Sequence, residues 1–297
     1  MNVVHEYGYA LGVRAGGTEI LRYVYGEDAP QVEAPKPYFH PIRTLSGAVV
    51  SGYRPHDHRW HKGLQMTVSH LSGQNFWGGP SYVDGQGYVQ LDNVGSVRHE
   101  GFDRLDPAPD RLTVVEALTW LTGRGEAWVG ERRTIEVHGA DPDRGRWILD
   151  FGTRLTNIRG TELRLGSPTT HGRPMAGYTG LFWRGPRAFT GGTVHTADRA
   201  GTDAMGAESP WLAYTGRHDE RDGGATLLVI DASDPRVAKH HWFVRNDPFP
   251  AVNPSPAFFA EITIPPAGSI ELAYRIVVGD DLWDRARIEA TAAELAR

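Results

Sequence analysis

The chain has 297 residues, a 40% apolar fraction with nine Trp, eleven Tyr and ten Phe, and a formal charge of -5. Its acids and bases interleave without a block of like charge, which excludes a nucleic-acid footprint and a polybasic membrane patch. No run approaches the ~18 apolar residues that span a bilayer, and a cysteine count of zero rules out disulfides, thiolate nucleophiles and Cys-held zinc, so any metal would need His and carboxylate ligands.

Residues 1 to 20 contain no basic start followed by an apolar segment, so a cytoplasmic protein is expected. Turn signals come early, at Ala15-Gly16-Gly17 and Leu45-Ser46-Gly47. The stretch from Tyr38 to Gly87 mixes histidine, aromatic residues and glycine more densely than any other, and it includes the run from Pro55 to Gly63. That mixture suits a pocket better than a packed interior. His56 and His58 are two apart and share a side if the segment is a strand, and His61 joins them across a bend between Pro55 and Gly63. Three neutral imidazoles could hold zinc, iron, manganese or nickel; the alternative is that they hydrogen-bond backbone or ligand oxygens. His70 follows the apolar Met66 and Val68 and reads as a core or sheet-face histidine.

Residues 72 to 87 and 166 to 192 are long and weakly patterned, but too aromatic for disorder, so both are expected to wall a pocket. Between them, Leu112, Val114, Leu118 and Trp120 alternate with polar residues, as do Trp147, Leu149, Phe151 and Leu155; a period of two marks half-buried strands. Arg173, Tyr178, Trp183 and Arg184 follow: arginine offers a fork of donors for vicinal hydroxyls or a carboxylate, and Tyr or Trp a flat face for a sugar ring. Leu227 to Ile230 read as a strand buried on both faces. Arg245 stands among aromatic residues. Glu261 has apolar neighbours, so burial would raise its pKa unless Arg245, Arg184 or a histidine compensates. Leu272 to Val278 repeat the strand period, and Asp280 or Asp281 caps a helix over the last seventeen residues. Strands at such spacing, punctuated by 36 Gly and 20 Pro, predict an all-β sandwich or barrel, here one domain over 1–297.

At Pro37-Tyr38-Phe39-His40-Pro41, Pro55 to Gly63, Asn75-Phe76-Trp77-Gly78 and Gly180 to Arg184 the sequence resembles the bacterial PmoA-like, or methane-oxygenase-like, family. The resemblance implies a galactose-mutarotase-like β-supersandwich with one short C-terminal helix, a class rich in sugar-processing and sugar-binding proteins. Glu261-Ile262-Thr263 and the strand from Glu271 to Val278 are similar to the closing strands of aldose epimerases, where a glutamate is the base. The Asn-His-x-Tyr-Phe-Asn motif of those enzymes is absent, so the acid would be His171, His56, His58 or His61.

The leading expectation is therefore an enzyme of the epimerase, mutarotase or lyase kind that moves a proton on a sugar or keto-sugar derivative. Glu261, His171, His58 and His61 would be its catalytic groups. His40, His56, Lys62, Asn75, Trp77, Arg173, Tyr178, Trp183, Arg184 and Arg245 would bind the substrate, with no cofactor. The alternatives are a noncatalytic carbohydrate-binding or sensing protein, and a metal-dependent lyase or oxygenase using His56, His58 and His61.

Overall fold

The computed structural model describes residues 1–199, 201–237 and 240–296. One eight-stranded sheet runs, in spatial order, through Asn2–Glu6, Ala10–Ala15, Thr18–Val24, Tyr38–Ile42, Leu64–Thr67, Gly180–Arg184, Ala251–Ser255 and His241–Arg245. A second eight-stranded sheet runs through Thr193–Thr196, Trp211–Arg217, Gly224–Asp231, Ser269–Asp280, Arg146–Asn157, Ala127–Asp141, Leu112–Leu121 and Ser96–Pro107. Every neighbouring pair is antiparallel, so one side of each strand can face a shared core while the other stays free. Phe39, Leu64, Leu181 and Trp183 of the first sheet pack with Trp120, Trp147, Phe151, Tyr214 and Tyr274 of the second in one buried cluster. The expected all-β supersandwich forms, closed by one C-terminal helix.

The strand Gly224–Asp231 is buried on both faces, as its unbroken apolar run predicts. Leu227 and Val229 enter the inter-sheet core. Leu228 and Ile230 are covered by Trp283, Ile288 and Ala292 around the helix Arg285–Leu295. That helix starts later than expected. Asp280 ends a strand and Asp281 takes a left-handed φ of 68°, leaving Asp284 as the cap, whose side chain accepts from Arg287 N at 2.8 Å. Arg297, the last residue of the expected helix, lies outside the described residues.

A small sheet of Ile262–Ile264, Leu163–Gly166 and His70–Leu71 and a hairpin of Ser81–Val83 with Gly87–Val89 complete the strands. Among the described residues no helix is long and apolar enough to cross a membrane.

Candidate functional site

On the outer face of the first sheet a cavity of about 350 Å³ is lined by His58, Trp60, His61, Trp77, Gly78, Pro80, Tyr88, Arg173, Tyr178, Phe182, Phe243, Arg245, Pro248 and Phe249. Strand alternation decides which residues reach it. Along Gly180–Arg184, Leu181 and Trp183 enter the core whereas Phe182 lines the cavity. Along His241–Arg245, Trp242 and Val244 turn inward and Phe243 and Arg245 outward.

Trp183 is therefore no stacking platform: its indole Nε1 donates to Val50 O at 2.9 Å and its ring packs on Tyr214 inside the sandwich. Trp77, Tyr178, Phe182 and Phe249 supply the flat surfaces instead, with ring centroids 4.6 Å apart for both Trp77–Tyr178 and Trp77–Phe182.

The Pro55–Gly63 segment is a pair of turns rather than a strand. His58 N donates to Pro55 O and His61 N to His58 O, each at 2.9 Å. The spacing that would align His56 with His58 on a strand fails for that reason. His56 is exposed, 3.4 Å from Arg187. His58 and His61 stack at 4.8 Å in the cavity wall. Three imidazoles facing one ion are thus not formed by His56, His58 and His61, which corrects the metal alternative placed there.

His58 Nδ1 lies 3.0 Å from Asp57 Oδ2, and Asp57 also accepts from Arg187 at 2.7 Å. Burial alone would raise the Asp57 carboxyl, but its bond to His58 and the nearby cations hold it down at about 2. His61 is buried and its Nδ1 is 3.1 Å from Arg184 Nη1. Burial, with His58 and Arg184 nearby, pushes the His61 pKa well below the ordinary imidazole value, so its Nδ1 accepts from the guanidinium. Arg184 lies 3.8 Å over the Phe249 ring, and burial lowers its pKa to about 10. It stands behind the lining and does not belong to it.

Both ends of the segment are anchored by buried Glu33. Arg54 donates Nε to it at 2.9 Å and Lys62 approaches it at 3.2 Å. Burial would raise Glu33, and the bonds from Arg54 and Lys62 overcome that and keep it below the usual carboxylate range. Lys62 is itself buried and also paired with Glu27, so it builds the wall and does not reach the cavity. The opposite wall hangs on buried Asn75. Its Oδ1 accepts from Trp77 N and Gly78 N, both at 2.9 Å, and its Nδ2 donates to Gly79 O at 3.0 Å. Gly79 is needed next to it, because a Cβ there would meet the Trp60 ring at 2.5 Å. His40 lies outside the cavity, with Nδ1 2.9 Å from Ser51 Oγ and its ring stacked on Tyr53 at 4.9 Å.

Two guanidiniums reach the cavity. Arg173 donates to the Tyr88 hydroxyl, which is 2.8 Å from that of Tyr178. Arg245 is 5.4 Å from the Phe243 ring centroid. No carboxylate is among the lining residues, whose permanent cations are Arg173 and Arg245.

The expected His–Glu pair forms, with His171 Nε2 3.1 Å from Glu261 Oε1, but neither residue lines the cavity. His70 completes the group, its ring 3.6 Å from that of His171. Burial first, then His171, lowers the His70 pKa to about 4. An apolar approach from Met66 and Val68 disguised His70 in the sequence. Phe249, Tyr88 and Trp60 were likewise missed, and only the aromatic density around them could have signalled them.

An all-β supersandwich with an aromatic, arginine-bearing cavity on its outer face defines the class. The chain belongs to the family of unknown function DUF6807, whose model matches residues 10–293. No curated protein matches it. Among solved structures it is similar to a GH36 α-galactosidase from Geobacillus stearothermophilus, with 12% identity and a TM-score of 0.48, over 92% of this chain and 41% of that one. The α-galactosidase from Lactobacillus brevis gives 9% and 0.45, over 94% and 40% respectively. A TPR-domain containing protein from Parabacteroides distasonis gives 10% and 0.40, over 93% and 48%. This chain spans less than half the length of each of these proteins, and similarity at this level does not bear on what it does.

Proposed function

We propose that the cavity binds a small carbohydrate, and within that class favours a sugar acid or another sugar derivative with an anionic edge. The observation that carries this reading is the lining itself: flat faces from Trp77, Tyr178, Phe182 and Phe249, two arginines, and no carboxylate. A pyranose has an apolar C–H face that suits the rings and an oxygen-rich edge that suits guanidinium donors. The volume of about 350 Å³ falls in the lower part of the roughly 300–1,000 Å³ usual for small-ligand pockets.

Proton transfer on the bound sugar then falls to His58, oriented by Asp57 at 3.0 Å. This replaces Glu261 and His171, which stand off the lining. A positioned acid–base group contributes about 10²- to 10⁴-fold, enough for epimerisation or for proton abstraction beside a carbonyl.

A thermal-shift panel of neutral sugars, keto-sugars and sugar acids tests the binding, since a ligand selective for the folded state raises Tm by mass action. Sugar acids should give the larger shifts, and Arg173→Ala or Arg245→Ala should weaken the best ligand about 10- to 100-fold, the value of one charge-assisted bond. Equal shifts for neutral and acidic sugars, or none for either, would discard the reading. Incubation of the best ligand in deuterated water separates turnover from binding: deuterium on a ring carbon reports catalysis, its loss in His58→Ala assigns the proton transfer to His58, and unchanged ligand leaves a binding protein.

A further inference from the structure

Away from the cavity lining, the small sheet gathers a second group of chemical side chains. Gly166 pairs with His70 and Leu165 with Ile262, which sets Glu261, just before Ile262, across the central strand from His70. His171 follows on the turn Thr169–His171 that leaves the same central strand. One donor atom from each of His70, His171 and Glu261 falls within 4.8 Å of the other two. Gly166 forms the floor under them: a Cβ there would stand 2.6 Å from Thr170 Oγ1 and 3.1 Å from Glu261 Oε1.

We infer that His70, His171 and Glu261 form a binding site for a divalent first-row transition metal ion. Two imidazoles and one carboxylate are the donor set that zinc, iron, manganese and cobalt share, and three protein donors leave positions open for water or a ligand oxygen. The His171–Glu261 separation fits. Two donors each about 2.1 Å from an ion, at tetrahedral to octahedral angles, stand roughly 3.0–3.4 Å apart, and His171 Nε2 to Glu261 Oε1 is 3.1 Å. The His70 and His171 rings, with centroids 3.6 Å apart, would spread by about 1 Å to direct both imidazoles at one ion. His70 Nδ1 is buried and makes no hydrogen bond, so part of this imidazole's bonding capacity is unspent. His171 and Glu261 keep 34% and 26% of their side-chain surface exposed, which gives an ion a way in. No cation contends for the carboxylate, since among the described residues the ion pair recorded for Glu261 is the one with His171.

The site does not depend on the sugar reading, and its test uses no sugar. The purified chain is stripped with a chelator, dialysed and titrated with Co²⁺, with binding followed by visible d–d absorption and by calorimetry. The expected result is one equivalent per chain, displaced by Zn²⁺, with affinity at least tenfold weaker in Glu261→Gln and in His171→Ala. His56→Ala, at an exposed histidine of the other His-rich segment, should bind as wild type does. Glu261→Gln is close to isosteric, and its far-UV circular dichroism should match wild type, so loss of metal cannot be assigned to misfolding. If it does not match, Gly166→Ala, which crowds the carboxylate from the floor, gives the deciding titration and should also weaken binding at least tenfold. No Co²⁺ absorption in the wild type would overturn the inference, and so would wild-type affinity in the Glu261 and His171 variants or loss of metal on changing His56.

Discussion

Asn75→Ala is the perturbation whose consequence can be worked furthest. The side chain is buried and makes two accepted bonds, from Trp77 N and Gly78 N at 2.9 Å, and donates to Gly79 O at 3.0 Å and Ser81 Oγ at 3.2 Å. Alanine strands two backbone N–H groups at about 1–3 kcal/mol each. Partial entry of water into the vacated space offsets some of this, so the loss should be about 2–5 kcal/mol. Since Trp77 and Gly78 line the cavity, the loosened wall should also lower ligand affinity. Asn75 thus acts by positioning that wall, with no contact to the ligand. Urea unfolding followed by tryptophan fluorescence should show a lower midpoint at unchanged slope. Asn75→Asp should be worse at neutral pH, because a carboxylate oxygen would then face the Gly79 carbonyl. A stability within about 0.5 kcal/mol of wild type, the usual range for an inconsequential surface change, would refute the reasoning.

Two further outcomes follow from residues off the cavity. Trp183→Phe should cost about 1–3 kcal/mol through lost volume and the lost bond to Val50 O, while ligand affinity stays within twofold. A large affinity loss at unchanged stability would return Trp183 to the binding surface. Burial, then Arg43, lowers the His40 pKa to about 4. Its unfolded value is about 6.5, so its contribution is complete above that pH and is lost as pH falls toward 4. The full loss is on the order of 3 kcal/mol. Denaturant unfolding of His40→Gln between pH 7 and 4 should therefore fall less steeply than that of wild type, and parallel curves would contradict the assignment.

Period-two alternation made the long strands legible, because Leu112–Leu121 and Ser269–Asp280 each turn one face into the core while the other is mostly half-buried or exposed, covered at Val277 by the C-terminal helix. It could not orient Gly180–Arg184, since that strand is buried on both faces and Phe182 and Trp183 are equally apolar. Pro55 and Gly63 correctly marked a bend, and the bend is what separates His56 from His58 and His61. Lys62 looked like a ligand contact until its partners Glu27 and Glu33 came alongside, more than 25 residues earlier in the chain. His70 meets His171 only through the pairing of Gly166 with His70, a contact between distant segments that no local pattern records. Arg173, Arg245, Trp77 and Tyr178 were readable because guanidinium and aromatic side chains clustered beside glycine already indicate a surface built to hold something.

The most direct test is a crystal structure of the chain with the best-binding sugar acid. The ring should lie in the cavity against Trp77, Tyr178 or Phe249, with its carboxylate within about 3 Å of Arg173 or Arg245. A saturating ligand found elsewhere on the protein, with these side chains untouched, would contradict the account.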